Sequence, residues 1–193
     1  MRDFSFRVEP SACLLGALLL LTLPLNWLLA AVSAAAFHEL CHGAAVLLLG
    51  GRIWGIRIDA GGAAMETEPL DRGRELICAL AGPAGSLLLI AFFRLLPRVA
   101  VCALFQAVYN LLPVFPLDGG RALRCVLELL FPKQAERIGN WTEWGVLGLL
   151  AALALIAAFR WRLGVLPLLA AGLPAAKAFL RKKPCKPARF GVQ

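Results

Sequence analysis

The chain has 193 residues, of which 60% are hydrophobic and 17% charged, and its mean hydropathy is +0.76. Soluble globular domains are about 45–50% apolar and about 25% charged, so this composition excludes an ordinary soluble domain and indicates a polytopic membrane protein. The net charge of +8 lies in short loops and in a tail from Lys177 to Arg189, not on a basic face interleaved with aromatics. The expected partner of this charge is therefore the lipid bilayer, and nucleic acid is excluded.

The first thirty residues combine an alternating start with an apolar run. Met1 to Pro10 predicts a short strand or an interfacial segment, and Cys13 to Leu23 predicts a first helix that spans the bilayer if it extends to about Leu29. A cleavable signal peptide is the alternative, with Ala34 to Ala36 as a cleavage-like triplet. Cleavage there would sever the chain beside His38, so we expect a retained first helix.

An almost purely apolar stretch from about Trp27 to Leu49 predicts the next span and contains both histidines of the chain, in the pentapeptide H-E-L-C-H. On a helix, His38 and His42 lie on one face because they are four residues apart, so they can bind one metal ion. Glu39 is then placed to accept a proton from water activated by that ion. An ionisable cluster at membrane depth costs about 2.5–3.5 kcal/mol per charged residue. This cost favours a functional site over the alternative, in which the histidines are hydrogen-bonded core residues without a function.

The six cysteines are scattered along the chain without a C-x-x-C pair, so we expect neither a disulfide framework nor a zinc knuckle. Cys41 lies within the pentapeptide but on a different helix face from the two histidines. We therefore expect Cys41 to pack as a small apolar side chain and not to bind the metal ion.

The segment from Gly50 to Glu75 changes character. Ile56 to Asp59 alternates between apolar and polar residues, Gly61-Gly62 supplies a turn, and Ala63 to Glu68 alternates again. This pattern predicts a small β-hairpin at the membrane edge, between the second and third helices.

The rest of the chain predicts further apolar helices, which gives an all-α polytopic membrane protein with about six transmembrane helices. The predicted helices are Leu76–Leu96, Val99–Leu112, Arg121–Leu130, Trp144–Phe159 and Leu163–Leu180. With both termini in the cytoplasm, sixteen of the 20 Lys and Arg residues lie on the cytoplasmic side, as the positive-inside rule requires. Residues 1–180 are then the membrane domain, and residues 181–193 form a short basic cytoplasmic tail.

Two histidines do not complete a catalytic zinc site, which commonly has three protein ligands. Asp118 is the strongest further candidate, because Pro113 and Pro116 interrupt the helix before it and Gly119-Gly120 allows a tight turn after it. The alternative role for Asp118 is an N-cap of the next helix. Asn110 can donate a hydrogen bond to a developing oxyanion, or it can fasten two spans by an interhelical hydrogen bond.

Three motifs together resemble the site-2 protease family of M50-type intramembrane metalloproteases: HELCH in a span, AGPAG at 81–85, and NLLPVFPLDGG at 110–120. The shared order and spacing cover roughly residues 1–180, and the branch that the chain most resembles is that of stage IV sporulation protein FB. The resemblance implies a Zn²⁺ cofactor, a general base, and a contact to the substrate or oxyanion. These roles fall on His38, His42 and Asp118 for the metal, on Glu39 for the base, and on Asn110 for the contact.

The same resemblance implies a membrane-associated protein substrate, such as a sporulation sigma-factor precursor in regulated proteolysis, and regulatory membrane proteins as partners. An anti-sigma factor or a leftover signal peptide is the alternative substrate. The chain departs from the family at Gly85-Ser86, where members often carry Asn or Gln, and residues 1–193 contain no CBS or PDZ domain.

Two other classes of function compete with a protease. A membrane metal transporter or metal-binding scaffold would carry further His, Asp or Glu residues along a path, and the other apolar spans contain no such series. A catalytically silent scaffold usually loses an essential residue, whereas this chain retains Glu39, both histidines and Asp118.

Overall fold

Six helices and three strands make up most of the residues that the computed structural model describes, namely 4–59, 62–160, Gly172 and Ala175. In chain order they are β1 (Ser5–Val8), α1 (Pro10–Thr22), α2 (Leu25–Leu48), β2 (Ile53–Asp59), β3 (Gly62–Thr67), α3 (Arg72–Ile90), α4 (Pro97–Asn110), α5 (Asp118–Leu130) and α6 (Ala135–Arg160). The predicted last span at 163–180 and the basic tail lie outside the described residues. The predicted domain boundary at residue 180 therefore stays a prediction.

The first apolar run forms two helices and not one. α1 ends at Thr22, and α2 begins at Leu25 directly after Pro24, which lacks the amide hydrogen needed to continue α1. The 13 residues of α1 extend only about 20 Å, less than the hydrocarbon core of a bilayer. The condition for a spanning first helix, an extension to about Leu29, is therefore not met, because the residues after the proline belong to α2.

Three of the described helices are long and apolar enough to cross a membrane: Leu25–Leu48, Arg72–Ile90 and Ala135–Phe159. Together with the composition, they agree with an integral membrane protein. α4 and α5 are shorter, at 14 and 13 residues. The number of transmembrane helices beyond these three stays a prediction.

The predicted hairpin is present between α2 and α3, with β2 antiparallel to β3, and it belongs to a larger sheet. β1 pairs parallel to β2, which gives the order β1-β2-β3. Ile56 is paired with Phe6 on one side and with Met65 on the other. A Cβ built on Gly43 would lie 3.5 Å from Sδ of Met65, so the sheet contacts α2 one residue after His42.

The helix that positions the others is α3, which contacts α2, α4 and α5. Most of the buried residues of α2, α3 and α4 are small, among them Ala30 and Ala34 of α2, Cys78, Ala79, Gly82 and Gly85 of α3, and Ala100, Ala103 and Ala107 of α4. Small side chains let helix backbones approach closely, which is the usual packing solution within a bilayer.

The chain divides into two compact units. The first, Met1–Val146, contains the sheet, α1 to α5 and the first turns of α6. The second, Leu147–Gln193, begins within α6. All side chains discussed below belong to the first unit.

Candidate metal centre

Three potential metal ligands from two helices converge on one point. The Nε2 atoms of His38 and His42 are 3.1 Å apart, and each lies 3.1 Å from Oδ2 of Asp118. Within the described residues, these three side chains form a group that could hold a metal ion. The structure thus brings two residues of α2 together with Asp118, which lies 76 positions after His42.

The two imidazoles are placed by helical geometry alone. His38 and His42 follow one another by a single turn of α2, with ring centroids 4.8 Å apart and ring planes 81° apart. His38 is fully buried, with 1% of its surface exposed. The side chain of His42 is 13% exposed, so the group is more accessible at His42 than at His38.

Each imidazole is held through its second nitrogen by α3. Nδ1 of His42 lies 2.7 Å from the carbonyl oxygen of Cys78, which only accepts hydrogen bonds, so Nδ1 carries the proton. In the neutral ring, Nε2 of His42 then presents a lone pair. Nδ1 of His38 lies 2.8 Å from Oγ of the fully buried Ser86. Such partners fix the tautomer and orientation of metal-binding histidines.

Asp118 reaches the histidines because the connection before α5 is folded tightly against it. A Cβ on Gly119 would lie 2.7 Å from the carbonyl oxygen of Leu112, and one on Gly120 would lie 2.5 Å from the amide nitrogen of Phe115. Only glycine permits these approaches. The N-cap of α5 is Leu117 and not Asp118, whose carboxylate points at the histidines instead.

The AGPAG motif forms the wall of this group on α3. A Cβ on Gly82 would lie 2.6 Å from Cε1 of His42 and 2.7 Å from Nε2 of His38, so a side chain there would displace both rings. A Cβ on Gly85 would lie 2.9 Å from Cβ of Cys41. The two glycines therefore allow α3 to pass directly beside the pentapeptide.

The donor set suits zinc. When each neutral ring carries its proton on Nδ1, both Nε2 atoms and the carboxylate of Asp118 present lone pairs to one point, and a cation there would relieve their mutual repulsion. Ligand atoms around a tetrahedral zinc ion with bonds of 2.0–2.2 Å lie about 3.3–3.6 Å apart. The observed separations of 3.1 Å are close to that spacing, so small adjustments accommodate the ion.

The predicted general base and oxyanion donor lie beside the same group. Glu39 follows His38 on α2, is half-buried, and is within electrostatic range of both histidines and of Asp118. Nδ2 of Asn110, the last residue of α4, lies 3.3 Å from Nε2 of His38. Four of the five predicted site residues are thus joined by distances of 3.1–3.3 Å, and Glu39 is adjacent to His38 in sequence.

The nearby cysteines are not part of the donor group. Cys41 packs against Gly85 of α3, as expected for a small apolar side chain. Cys125 lies two turns after Asp118 on α5, and burial raises the pKa of its thiol to about 11. Cys125 is therefore protonated at neutral pH and does not supply a thiolate.

Ion pairs attach the start of α3 to α5. Arg72 contacts Glu75 at 2.8 Å and Glu128 at 2.5 Å, and Arg121 lies 3.9 Å from Glu75. These side chains are partly exposed, so a single pair contributes little to stability. As a linked set across two helices, they help to keep the helix with Asp118 beside the helix that supports the histidines.

Sequence reasoning named Ser86 only as part of the Gly85-Ser86 departure from the family, with its role left open, and it missed the carbonyl of Cys78. Ser86 lies four residues after Gly82, so the two share a helix face, and Gly82 belongs to a motif that the sequence singled out. That spacing is a signal that could have identified Ser86. The carbonyl of Cys78 carries no signal in its residue type, because any residue supplies one.

Comparisons with known proteins agree with this geometry. Residues 11–117, more than half of the chain, match a family model described as Peptidase M50B-like. The fold is similar to the solved structure of the Site-2 Protease from Methanocaldococcus jannaschii, with a TM-score of 0.63 over 93% of this chain and 91% of that one. The sequence identity is 19%, so this similarity concerns the fold. A search of curated proteins finds no match.

Proposed function

Because the chain belongs to the M50B-like peptidases of the site-2 protease family, which are zinc metalloproteases, we propose that His38, His42 and Asp118 hold its zinc ion. Family membership and the apolar helices make the chain an intramembrane metalloprotease. The observation that supports these ligands is the triangle of donor atoms with sides of 3.1 Å. Asp118 is the first residue beyond the family match, so its role rests on this geometry.

The chemistry follows from what each side chain can do around that ion. Bound zinc supplies a Lewis acid that lowers the pKa of water toward neutrality and polarises a carbonyl. Glu39 accepts the proton of the attacking water, and it returns that proton to the amide nitrogen as the C–N bond breaks. Asn110 donates its amide hydrogen to the oxyanion that develops on the carbonyl oxygen. The products are a carboxylate and an amine.

Three groups of α3 hold or accommodate the two histidines, each in a different way. The Cys78 carbonyl keeps the proton of His42 on Nδ1, which leaves Nε2 free for the metal ion. Ser86 holds the buried ring of His38 by a hydrogen bond to its Nδ1. Gly82 provides the space in which the two rings meet.

The substrate class follows from the placement of the site. The two histidines lie in a helix of 24 residues that can cross a membrane, so the substrate is a transmembrane or membrane-associated segment of a protein. The motif resemblance to the sporulation branch favours regulated proteolysis of a sigma-factor precursor. The distribution of Lys and Arg favours a chain with both termini in the cytoplasm.

The test is to map new protein termini in membranes of the native host and to compare the wild type with Glu39→Gln. Glutamine keeps the size of the side chain but cannot accept the proton, so we expect termini near membrane segments to be present only with the wild type. Those termini would also identify the substrate. Equal sets of termini, with both proteins expressed and loaded with zinc, would contradict the protease and favour a scaffold.

A further inference from the structure

A buried carboxylate on α6 has no part in the chemistry described above. Glu143 is 4% exposed, although it lies in a helix otherwise suited to cross a membrane. Burying a charge is costly unless the charge is paired. Arg124 of α5 supplies a partner, with Nη2 at 3.5 Å from Oε2 of Glu143.

The same arginine makes a second contact, on the connection between α4 and α5. The guanidinium carbon of Arg124 lies 4.3 Å from the centre of the Phe115 ring, within the range of a cation–π interaction. Phe115 belongs to the connection Leu111–Leu117, which joins Asn110 to Asp118. Arg124 therefore links α6 to the segment that ends at the third donor.

The first turns of α6 are shaped for this arrangement. Gly139 and Glu143 lie one turn apart on the same face of α6. A Cβ on Gly139 would lie 3.9 Å from Cγ of Arg124 and 3.8 Å from Cδ1 of Leu127. The arginine side chain thus passes along α6 beside Gly139 before its guanidinium group reaches Glu143 and Phe115.

The connection is also held by hydrogen bonds within its own backbone and by the close approach of α5. The amide of Val114 donates to the carbonyl of Leu112 at 2.7 Å, and the amide of Leu117 donates to the carbonyl of Val114 at 2.9 Å. The backbone at Gly120 lies against Phe115. The backbone of Phe115 thus lies directly against the residues that follow Asp118.

We propose that Phe115, Arg124 and Glu143 form a brace that fixes the Leu111–Leu117 connection and so places the carboxylate of Asp118 against the two histidines. These are positioning residues, because none of them is in the donor group. The inference rests on the proposed role of Asp118 as a zinc ligand. It adds to the site two side chains, Arg124 and Glu143, that lie beyond the residues matched by the family model.

The test measures zinc affinity of the purified full-length chain in detergent, by competition with a chromogenic zinc chelator. The variants are Phe115→Leu, Arg124→Met and the double variant, with two exposed controls, Phe131→Leu directly after α5 and Arg137→Met in the first turn of α6. Loss of a desolvated cation–π contact predicts roughly 5- to 30-fold weaker zinc binding in each single variant. The double variant should bind zinc no more weakly than the more strongly affected single variant, because both substitutions remove the same contact.

A second measurement separates positioning from general damage to the fold. The visible spectrum of the Co²⁺-substituted protein reports the ligand geometry, and it should change in Phe115→Leu while the melting temperature of the metal-free protein matches that of Phe131→Leu. If Arg124→Met does not fold, Arg124→Lys replaces it in the cycle. Lysine keeps the charge beside Glu143 but lacks the planar group that stacks on the ring.

Three results decide the matter. Wild-type zinc affinity in both single variants, or effects that multiply in the double variant, would overturn the brace. Non-additive losses with an altered Co²⁺ spectrum would establish it. Asp118→Asn is measured in parallel, and if that variant binds zinc as the wild type does, the proposed ligand set fails instead of the brace.

Discussion

The two halves of the metal centre are built in different ways. In α2, His38 and His42 share a face because one helical turn separates them, so their spacing is settled within five residues. At the start of α5, Asp118 owes its place to contacts with distant parts of the chain, through the glycines that follow it and the connection that precedes it. One half is local in origin and the other is tertiary.

This difference has a consequence for function. The two histidines are brought together whenever α2 forms, and α3 then sets their orientation through Ser86 and the carbonyl of Cys78. The complete donor set also requires α4, α5 and their connection to pack correctly. A substitution at Asp118 should therefore leave the histidine pair of α2 in place, whereas a substitution of either histidine removes one member of that pair.

The largest effect is expected from removing one donor of each half, with His42→Ala and Asp118→Asn. We expect each to weaken zinc binding by roughly 10²- to 10³-fold, since structural zinc sites of four ligands bind with about 10–16 kcal/mol, which is about 2.5–4 kcal/mol per ligand. Cleavage should be lost in both. Chelator competition with the purified chain checks the affinity. Strong zinc binding by Asp118→Asn would show that the local half suffices and would contradict the comparison.

A smaller effect is expected from Asn110→Ala at the end of α4. Loss of an oxyanion donor predicts a kcat lower by about 100-fold, with zinc content and KM nearly unchanged. Cleavage kinetics on a substrate identified by terminus mapping check this, with the exposed Asn26→Ala as the control. If Asn110 only holds α4 against α2 by a hydrogen bond, Asn110→Ala would lower the melting temperature and leave kcat unchanged.

The smallest effect is expected at the support of the local half, in Ser86→Ala. Partners of metal-binding histidines contribute about 10- to 100-fold to metal affinity, and we expect about tenfold here because a neutral hydroxyl group is a weaker partner than a carboxylate. Ser33→Ala is the matched control, since the exposed Ser33 on α2 donates only to the carbonyl of Leu29. Zinc affinity equal to that of the control would mean that helical spacing alone orients His38.

The same contrast explains what could be predicted from the sequence. The H-E-x-x-H spacing and the apolar run around it predict a metal-binding helix, and the three motifs predict the family, which the match over residues 11–117 confirms. The hairpin is also predicted by its alternation and glycines, and it is present as β2 and β3. These features depend on short stretches of sequence.

What could not be predicted depends on contacts between distant segments. The pairing of β1 with β2 joins residues about fifty positions apart, and the support of His38 by Ser86 joins residues 48 apart. The first helix ends at Thr22 because the chain breaks at Pro24. A proline can bend a helix or end it, and the local sequence does not decide between the two. The sporulation branch, the substrate and the orientation of the termini stay predictions.

The most direct test of the central claim is X-ray absorption at the zinc edge, on the purified full-length protein in detergent. A centre formed by His38, His42 and Asp118 predicts two imidazole ligands and oxygen ligands at about 2.0–2.2 Å, with no sulfur at about 2.3 Å. A single imidazole, or a sulfur ligand from Cys41, would contradict the joining of the two halves into one zinc site.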